Sequence, residues 1–371
     1  MNMKPFRFGE VVPAEYQCPR PELLKIMLSH LNEGRKVLLH GERRMGKTSF
    51  VHHVVAPASR RRLFHISLWG LKSSNDLARH LLNALNNLQH ERSLLGKAKR
   101  FVSSQVTATV QLGAITLKAA PASVTTTTDL LEGILDQLYE EHKKSPVIAF
   151  WDEFQEILTL PDGQSIIGRL RNAIQHHSGM PHIFAGSDRN RMHEIFNHPR
   201  SPFFKGAATI YFDKIPEAVF AKWIKSRFQL GGITLADELV ARIFEITSNV
   251  AGDVQQLCNG LWSIAEPRSR LALEHVRPAL RAIWAEESRT YEFIVEDATN
   301  IQYQTLSALA THPSMPPLSR EFSEAIGVQV PSISRALASL TNRGILQKTG
   351  TNYKFVNPFF KEWLVHKDSA A

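Results

Sequence analysis

Residues Gly41-Glu42-Arg43-Arg44-Met45-Gly46-Lys47-Thr48 read G-x-x-x-x-G-K-T. Those residue types at that spacing suit one task, the holding of a polyphosphate. Gly41 and Gly46 let the backbone curl, so that the N–H groups of Glu42, Arg43, Arg44 and Met45 converge on an anion. Lys47 can reach the β- and γ-phosphates of a nucleotide, and the Thr48 hydroxyl can ligate Mg²⁺. Ser49 opens a helix whose N-terminus favours negative charge.

A second set of chemical groups closes the run Pro146-Val147-Ile148-Ala149-Phe150-Trp151-Asp152-Glu153. An apolar strand that ends in two carboxylates delivers them where open α/β sheets bind ligands. Asp152 is expected to hold Mg²⁺, through water, and Glu153 to orient or deprotonate an attacking water. A third run, Pro181-His182-Ile183-Phe184-Ala185-Gly186-Ser187, ends in a small polar residue. Ser187 is the candidate for sensing the terminal phosphate. Arg189 and Arg191 follow within reach of a phosphate or of a neighbouring subunit; either serves equally as surface charge.

The elements that position these groups are predicted as follows. Strands are expected at 36–40, 62–68, 146–152, 181–187 and 208–212, with helices over 20–33, 49–55, 75–95, 129–142 and 163–178. Residues 96–128, with the basic cluster Lys97–Arg100 and an alternating run over 106–117, read as an insertion carrying a hairpin. Arg20 could flank an adenine, although a surface arginine at a helix start is the plainer reading. His65 reads as packed beside the sheet. His176 and His177 point apart on a helix and so make no metal pair. Helices are expected over 217–229, 236–248, 253–265 and 272–288, with Trp223, Trp262 and Trp284 in their core. Beyond residue 298 the pattern is three helices and two short strands, a winged helix-turn-helix. Its third helix would offer Ser332, Ser334, Arg335 and Arg343, and its wing Lys348, to phosphates and base edges of DNA.

The chain has 371 residues, too many for one ordinary core, which divides as 1–215, 216–290 and 291–371. Net charge is +9 and uneven: residues 1–150 hold 21 Lys/Arg against 12 Asp/Glu, whereas 151–371 hold 23 of each. A basic half can attract nucleic acid, or it can balance a polyphosphate site. Residues 297–371 carry seven Lys/Arg and five Asp/Glu, so the winged helix is only mildly basic. Its partner is therefore double-stranded DNA or a protein. No run of about 18 apolar residues predicts a membrane span. Met1–Arg7 lacks an apolar signal core, and two cysteines without metal-like spacing suit a reducing cytoplasm.

The order of these motifs carries a resemblance. The glycine loop is followed by Asp152-Glu153-Phe154-Gln155, then Phe184-Ala185-Gly186-Ser187-Asp188-Arg189 and Ser201-Pro202-Phe203-Phe204. The chain closes on Asn357-Pro358-Phe359-Phe360-Lys361-Glu362-Trp363-Leu364. This resembles the archaeal-type ATPases, a branch of the STAND and origin-recognition-like AAA+ P-loop ATPases. The resemblance implies an α/β P-loop NTPase with a RecA-like parallel-sheet core, a helical lid and a C-terminal winged helix. The expected ligands are ATP and Mg²⁺, bound between core and lid, and the chain could oligomerise with nucleotide. Two positions depart from the resemblance. Gln255 stands where origin-recognition relatives often place a lid arginine, and Lys205 where an arginine finger is sought; a lysine is a poorer fork for phosphate oxygens. The expected function is an ATP-binding, slowly ATP-hydrolysing switch that controls display of the winged helix. The alternative is a nucleotide-bound scaffold whose winged helix docks a protein, with little turnover.

Overall fold

The computed structural model describes residues 4–93 and 127–368, and the statements below concern them. The hairpin and basic cluster read within 96–128 lie outside the described residues up to position 126. The chain divides into two compact units, one of Val11–Asp213 and one of Met1–Glu10 with Lys214–Ala371.

The first unit is built on a five-stranded parallel sheet of β1 (Lys36–His40), β2 (Arg62–Ser67), β3 (Val147–Asp152), β4 (His182–Gly186) and β5 (Ala208–Tyr211), in the order β2-β3-β4-β1-β5. β3 and β4 are buried at every position. Their near-continuous apolar runs are what a strand covered on both faces requires. The connecting helices are α1 (Pro21–Asn32), α2 (Lys47–Phe50), α3 (Ala56–Ser59), α4 (Ser74–Ser93), α5 (Thr127–Lys144), α6 (Gly163–Gln175) and α7 (Arg189–Phe196). Between α2 and α3 the helix widens into a π-helical segment, Val51–Val55. Because all strands run parallel, the glycine loop after β1, the acids after β3 and Ser187 after β4 share one edge. The β4 strand lies between β1 and β3, so Ser187 stands between the loop and the acids.

An aromatic cluster fixes that edge. Phe154, fully buried, lies 4.8 Å from Phe184, 5.9 Å from Phe196 and 5.7 Å from Phe203, centroid to centroid. It anchors the chain one residue after Glu153, whose backbone takes a left-handed conformation at φ 50°.

The second unit continues with α8 (Glu217–Gln229), β6 (Thr234–Leu235), α9 (Asp237–Thr247), α10 (Ala251–Ile264), β7 (Arg270–Leu271) and α11 (Val276–Glu296). Then come α12 (Asn300–Thr311), α13 (Arg320–Ile326), α14 (Val330–Asn342), the antiparallel pair β8 (Leu346–Thr349) and β9 (Asn352–Phe355), and α15 (Pro358–Asp368). The segment ahead of residue 11 belongs here because Phe6, 2% exposed, packs on Trp223, Phe228 and Trp262. Helix α11 runs unbroken through residue 290, and the closing Asn-Pro-Phe-Phe run folds back on it. Trp284 Nε1 donates to the Phe359 carbonyl at 3.0 Å, and Arg242 of α9 donates to Glu362 at 3.1 Å. Glu287 accepts from Gln256 Nε2 at 2.9 Å, from Tyr291 Oη at 2.6 Å and from Asn357 Nδ2 at 2.9 Å. That polar joint ties α10, α11 and the start of α15 together.

Candidate nucleotide site

The glycine loop turns through two left-handed residues, Arg44 at φ 60° and Gly46 at φ 91°. Alternation of this kind gathers successive N–H groups into a concave, anion-seeking nest. At φ 91° Gly46 needs the freedom only glycine has. Gly41 meets a different demand: a Cβ there would lie 2.7 Å from the Phe212 carbonyl oxygen. Ser49 faces away, accepting the Val12 N–H at 2.9 Å, and so moors the segment ahead of α1 to the loop helix. Arg20 in that segment lies over the Phe212 ring at 4.2 Å and donates to the Asp213 carbonyl.

Lys47 is 6% exposed, and its ammonium donates to the carbonyls of Gly41 (2.7 Å) and Glu42 (2.8 Å). Burial lowers its pKa, opposed by the charges of Glu153 and Asp152. A buried cation hydrogen-bonded to neutral carbonyls is electrostatically under-compensated, and a phosphate is the partner that would relieve it. The same loop therefore fits the phosphates of ATP.

Thr48 Oγ1 donates to Asp152 Oδ2 at 2.6 Å, while Oδ1 accepts the Glu153 N–H at 3.1 Å. A hydroxyl that gives its proton to a carboxylate keeps its lone pairs for a cation. Burial raises the Asp152 pKa, with Thr48 opposing and Glu153 reinforcing. A carboxylate that burial disfavours and an oxygen ligand beside it form a donor set that fits Mg²⁺.

Glu153 Oε2 accepts from Ser187 Oγ at 2.9 Å and from Gln155 Nε2. Ser187 Oγ accepts in turn from Arg43 Nε at 3.2 Å, and the Arg43 guanidinium lies 4.5 Å over Trp69, itself 56% exposed. Loop, β4 end and β3 end are thus connected by one chain of hydrogen bonds. Arg189 is exposed at the start of α7, and its charge helps lower the pKa of His40 after burial and Lys47. Arg191 is drawn to Glu156 and Asp188, each at 3.7 Å.

Two histidines enter the site that the sequence alone did not bring there. His52 Nε2 lies 3.0 Å from His65 Nδ1, and His65 Nε2 lies 3.9 Å from Asp152 Oδ2. Burial, with the neighbouring histidines, pushes His52 down to about 4, and burial pushes His65 down to about 4, so both rings are neutral at pH 7. The expectation that His65 packs beside the sheet describes its ring, which stacks on Phe150 at 5.0 Å, but not its Nε2. Nothing in linear spacing signals the contact, since helix and strand bring residues 13 apart together. His177 is buried and stacked on Tyr139 at 4.9 Å while His176 stays exposed.

Gln255 accepts the Arg7 N–H at 3.1 Å and is buried within the second unit. Lys205 has its ammonium over Phe204 at 5.3 Å. On α14, Ser334 and Arg335 are exposed and Ser332 half-buried; Arg335 donates back to Ser332 Oγ and the Pro331 carbonyl, both at 3.4 Å. Arg343 pairs with Asp297 at 2.5 Å, and Lys348 on β8 is exposed. Among the described residues no helix is long and apolar enough to cross a membrane.

Comparison with known proteins agrees with this geometry. The family model of an AAA domain matches residues 31–192. The solved Walker-type ATPase of Pyrococcus abyssi superposes with a TM-score of 0.63 at 16% identity, over 95% of this chain and 97% of that one. The Aeropyrum pernix ORC1 protein, solved in complex with DNA, superposes with a TM-score of 0.52 at 15% identity, over 97% and 96%. No curated protein matches the chain. Residues 31–192 match the AAA-domain model, and the five-stranded parallel sheet, whose fifth strand β5 follows the matched span, is that of a P-loop NTPase fold.

Proposed function

We propose that the protein is an ATP-hydrolysing molecular switch, in which the nucleotide state of the first unit governs how the second displays a DNA-binding winged helix. The observation that carries the nucleotide part is the buried Lys47 ammonium, held by loop carbonyls beside an anion nest and facing two carboxylates. The loop N–H groups and Lys47 bind the β- and γ-phosphates. Thr48 and Asp152 hold Mg²⁺, which when bound supplies charge neutralisation at the phosphates. Glu153 accepts the proton of the attacking water at Oε1, the oxygen not engaged by Ser187 and Gln155. Ser187 reports the terminal phosphate to Glu153 through their shared hydrogen bond, and Arg189 stabilises charge on the phosphate or on that of a neighbouring subunit after assembly. A nucleotide biases the switch only by its differential affinity for the two states.

In the second unit, residues 216–290 act as the lid and 291–371 as the winged helix, with α12, α13 and α14 as its helices and β8–β9 as its wing. Ser332, Ser334, Arg335 and Lys348 contact duplex DNA. The ORC1 likeness adds the fold alone. A second reading, a nucleotide-bound scaffold that docks a protein through this domain, draws support from Arg343, already paired with Asp297, and from the low net charge of residues 297–371.

ATP hydrolysis with and without duplex DNA, at two salt concentrations, separates the readings. Stimulation that fades as salt rises supports DNA. Tight nucleotide binding without stimulation supports the scaffold, and absence of nucleotide binding overturns both.

A further inference from the structure

We propose that His65, itself held by His52, is a positioning residue for Asp152, its Nε2–H facing the Oδ2 oxygen of the cation-binding carboxylate from 3.9 Å and orienting it electrostatically. The inference rests on the reading of Thr48 and Asp152 as the Mg²⁺ ligands. Three observations carry it. His65 Nε2 is buried without a hydrogen-bond partner and lies 3.9 Å from Asp152 Oδ2. A buried polar nitrogen left so is rare and marks strain, a functional role, or a place for a water or ion. The ring is fixed in orientation, stacked on Phe150 at 5.0 Å and 19° and met edge-on by His52 at 4.5 Å and 88°. The contact between His52 Nε2 and His65 Nδ1, at 3.0 Å, has room for one proton.

That last point selects the tautomer. If His52 donates, His65 Nδ1 accepts, and the proton of the His65 ring sits on Nε2, facing the carboxylate. The opposite arrangement turns a lone pair toward a carboxylate oxygen, which is repulsive. His52 lies in the π-helical segment Val51–Val55, directly after the turn Lys47–Phe50 that carries Thr48. Segments of this kind occur often at functional sites. The same helix thus supplies one donor to Asp152 Oδ2 directly, from Thr48, and aims a second through His65. A phenylalanine at 65 would stack on Phe150 as well, but would offer neither the Nδ1 partner of His52 nor an N–H facing Asp152. Outer donors that orient a metal-binding side chain typically set metal affinity by about 10- to 100-fold.

The test is binding of a fluorescent ADP analogue to the full chain, titrated with Mg²⁺. In the unmodified protein Mg²⁺ strengthens binding. His65→Phe raises the Mg²⁺ concentration for half of that effect by about tenfold and leaves Mg²⁺-free affinity unchanged. His52→Phe shifts it in the same direction by less, and His65→Gln, which restores a donor, recovers part of it. A His65→Phe protein with unmodified Mg²⁺ dependence overturns the proposal. If that variant does not fold, unmodified Mg²⁺ dependence in His52→Phe overturns it instead. Nucleotide binding that ignores Mg²⁺ in the unmodified protein is a different failure, since it removes the reading of Thr48 and Asp152 first.

Discussion

The molecule contains two polar clusters that look alike in composition and differ in how their groups are satisfied. Around Glu287 in the second unit, one carboxylate meets the donors of Gln256, Tyr291 and Asn357. At the strand ends of the first unit, Lys47 binds carbonyls, Thr48 and Asp152 bind each other, and buried polar atoms, His65 Nε2 and Gln155 Oε1, lack hydrogen-bond partners. The first pattern holds helices together. The second keeps charge and unmatched polarity together at the strand ends, at a cost in stability, which is what a ligand site requires.

That contrast can be broken by substitution. The largest stability effect is expected from Phe154→Ala, which empties the centre of the aromatic cluster under Glu153. It should destabilise the protein by about 3–5 kcal/mol in denaturant unfolding; a loss below about 1 kcal/mol would mean that the cluster does not hold the acid loop. Lys47→Ala removes the buried cation and should weaken nucleotide affinity about 10- to 100-fold, equivalent to ~1.5–3 kcal/mol of charged hydrogen bonding. Retained affinity would show that the loop is not the phosphate site. Glu287→Ala should cost about 1–3 kcal/mol of stability by removing the carboxylate to which Gln256, Tyr291 and Asn357 donate, with nucleotide affinity unchanged. Loss of affinity there would erase the distinction between the clusters.

The smallest effect is a pH dependence. His52, His65 and His177 are held down to about 4 by burial, and His182 well below its usual 6.5. Well above pH 6.5 the rings are neutral folded and unfolded, and stability is complete. As pH falls from 6.5 toward 4 the unfolded chain binds protons that the folded one refuses, so stability is lost. Asp152, shifted upward, works in the opposite sense. The thermal midpoint at pH 5 should lie below that at pH 7.5, and equal midpoints would contradict neutral buried rings.

Much of the fold was legible in the residues. The apolar runs at Val37–Leu39, Val147–Trp151 and Ile183–Ala185 mark strands buried on both faces, and G-x-x-x-x-G-K-T marks the turn between β1 and α2. Which strands lie side by side was not legible, because the β2-β3-β4-β1-β5 order is a property of crossovers and not of local pattern. The candidate site divides the same way. Each of Thr48, Asp152, Glu153 and Ser187 stands out by its place at a strand or loop end. The Arg43–Ser187–Glu153 chain and the His52–His65–Asp152 contacts depend on that strand order and on a helix widened at Val51–Val55. Likewise α15 gave a motif in Asn357–Leu364, but its return onto α9 and α11 rests on pairs 70 to 120 residues apart.

On the proposed function, the strand ends of the first unit bind ATP and Glu153 activates water there. The most direct test measures nucleotide affinity and turnover side by side in the Glu153→Gln protein. Affinity should stay within about twofold of the unmodified chain while turnover falls about 10²- to 10⁴-fold, the range for removal of a general base. Unreduced turnover with intact affinity would remove Glu153 from the chemistry and contradict the account.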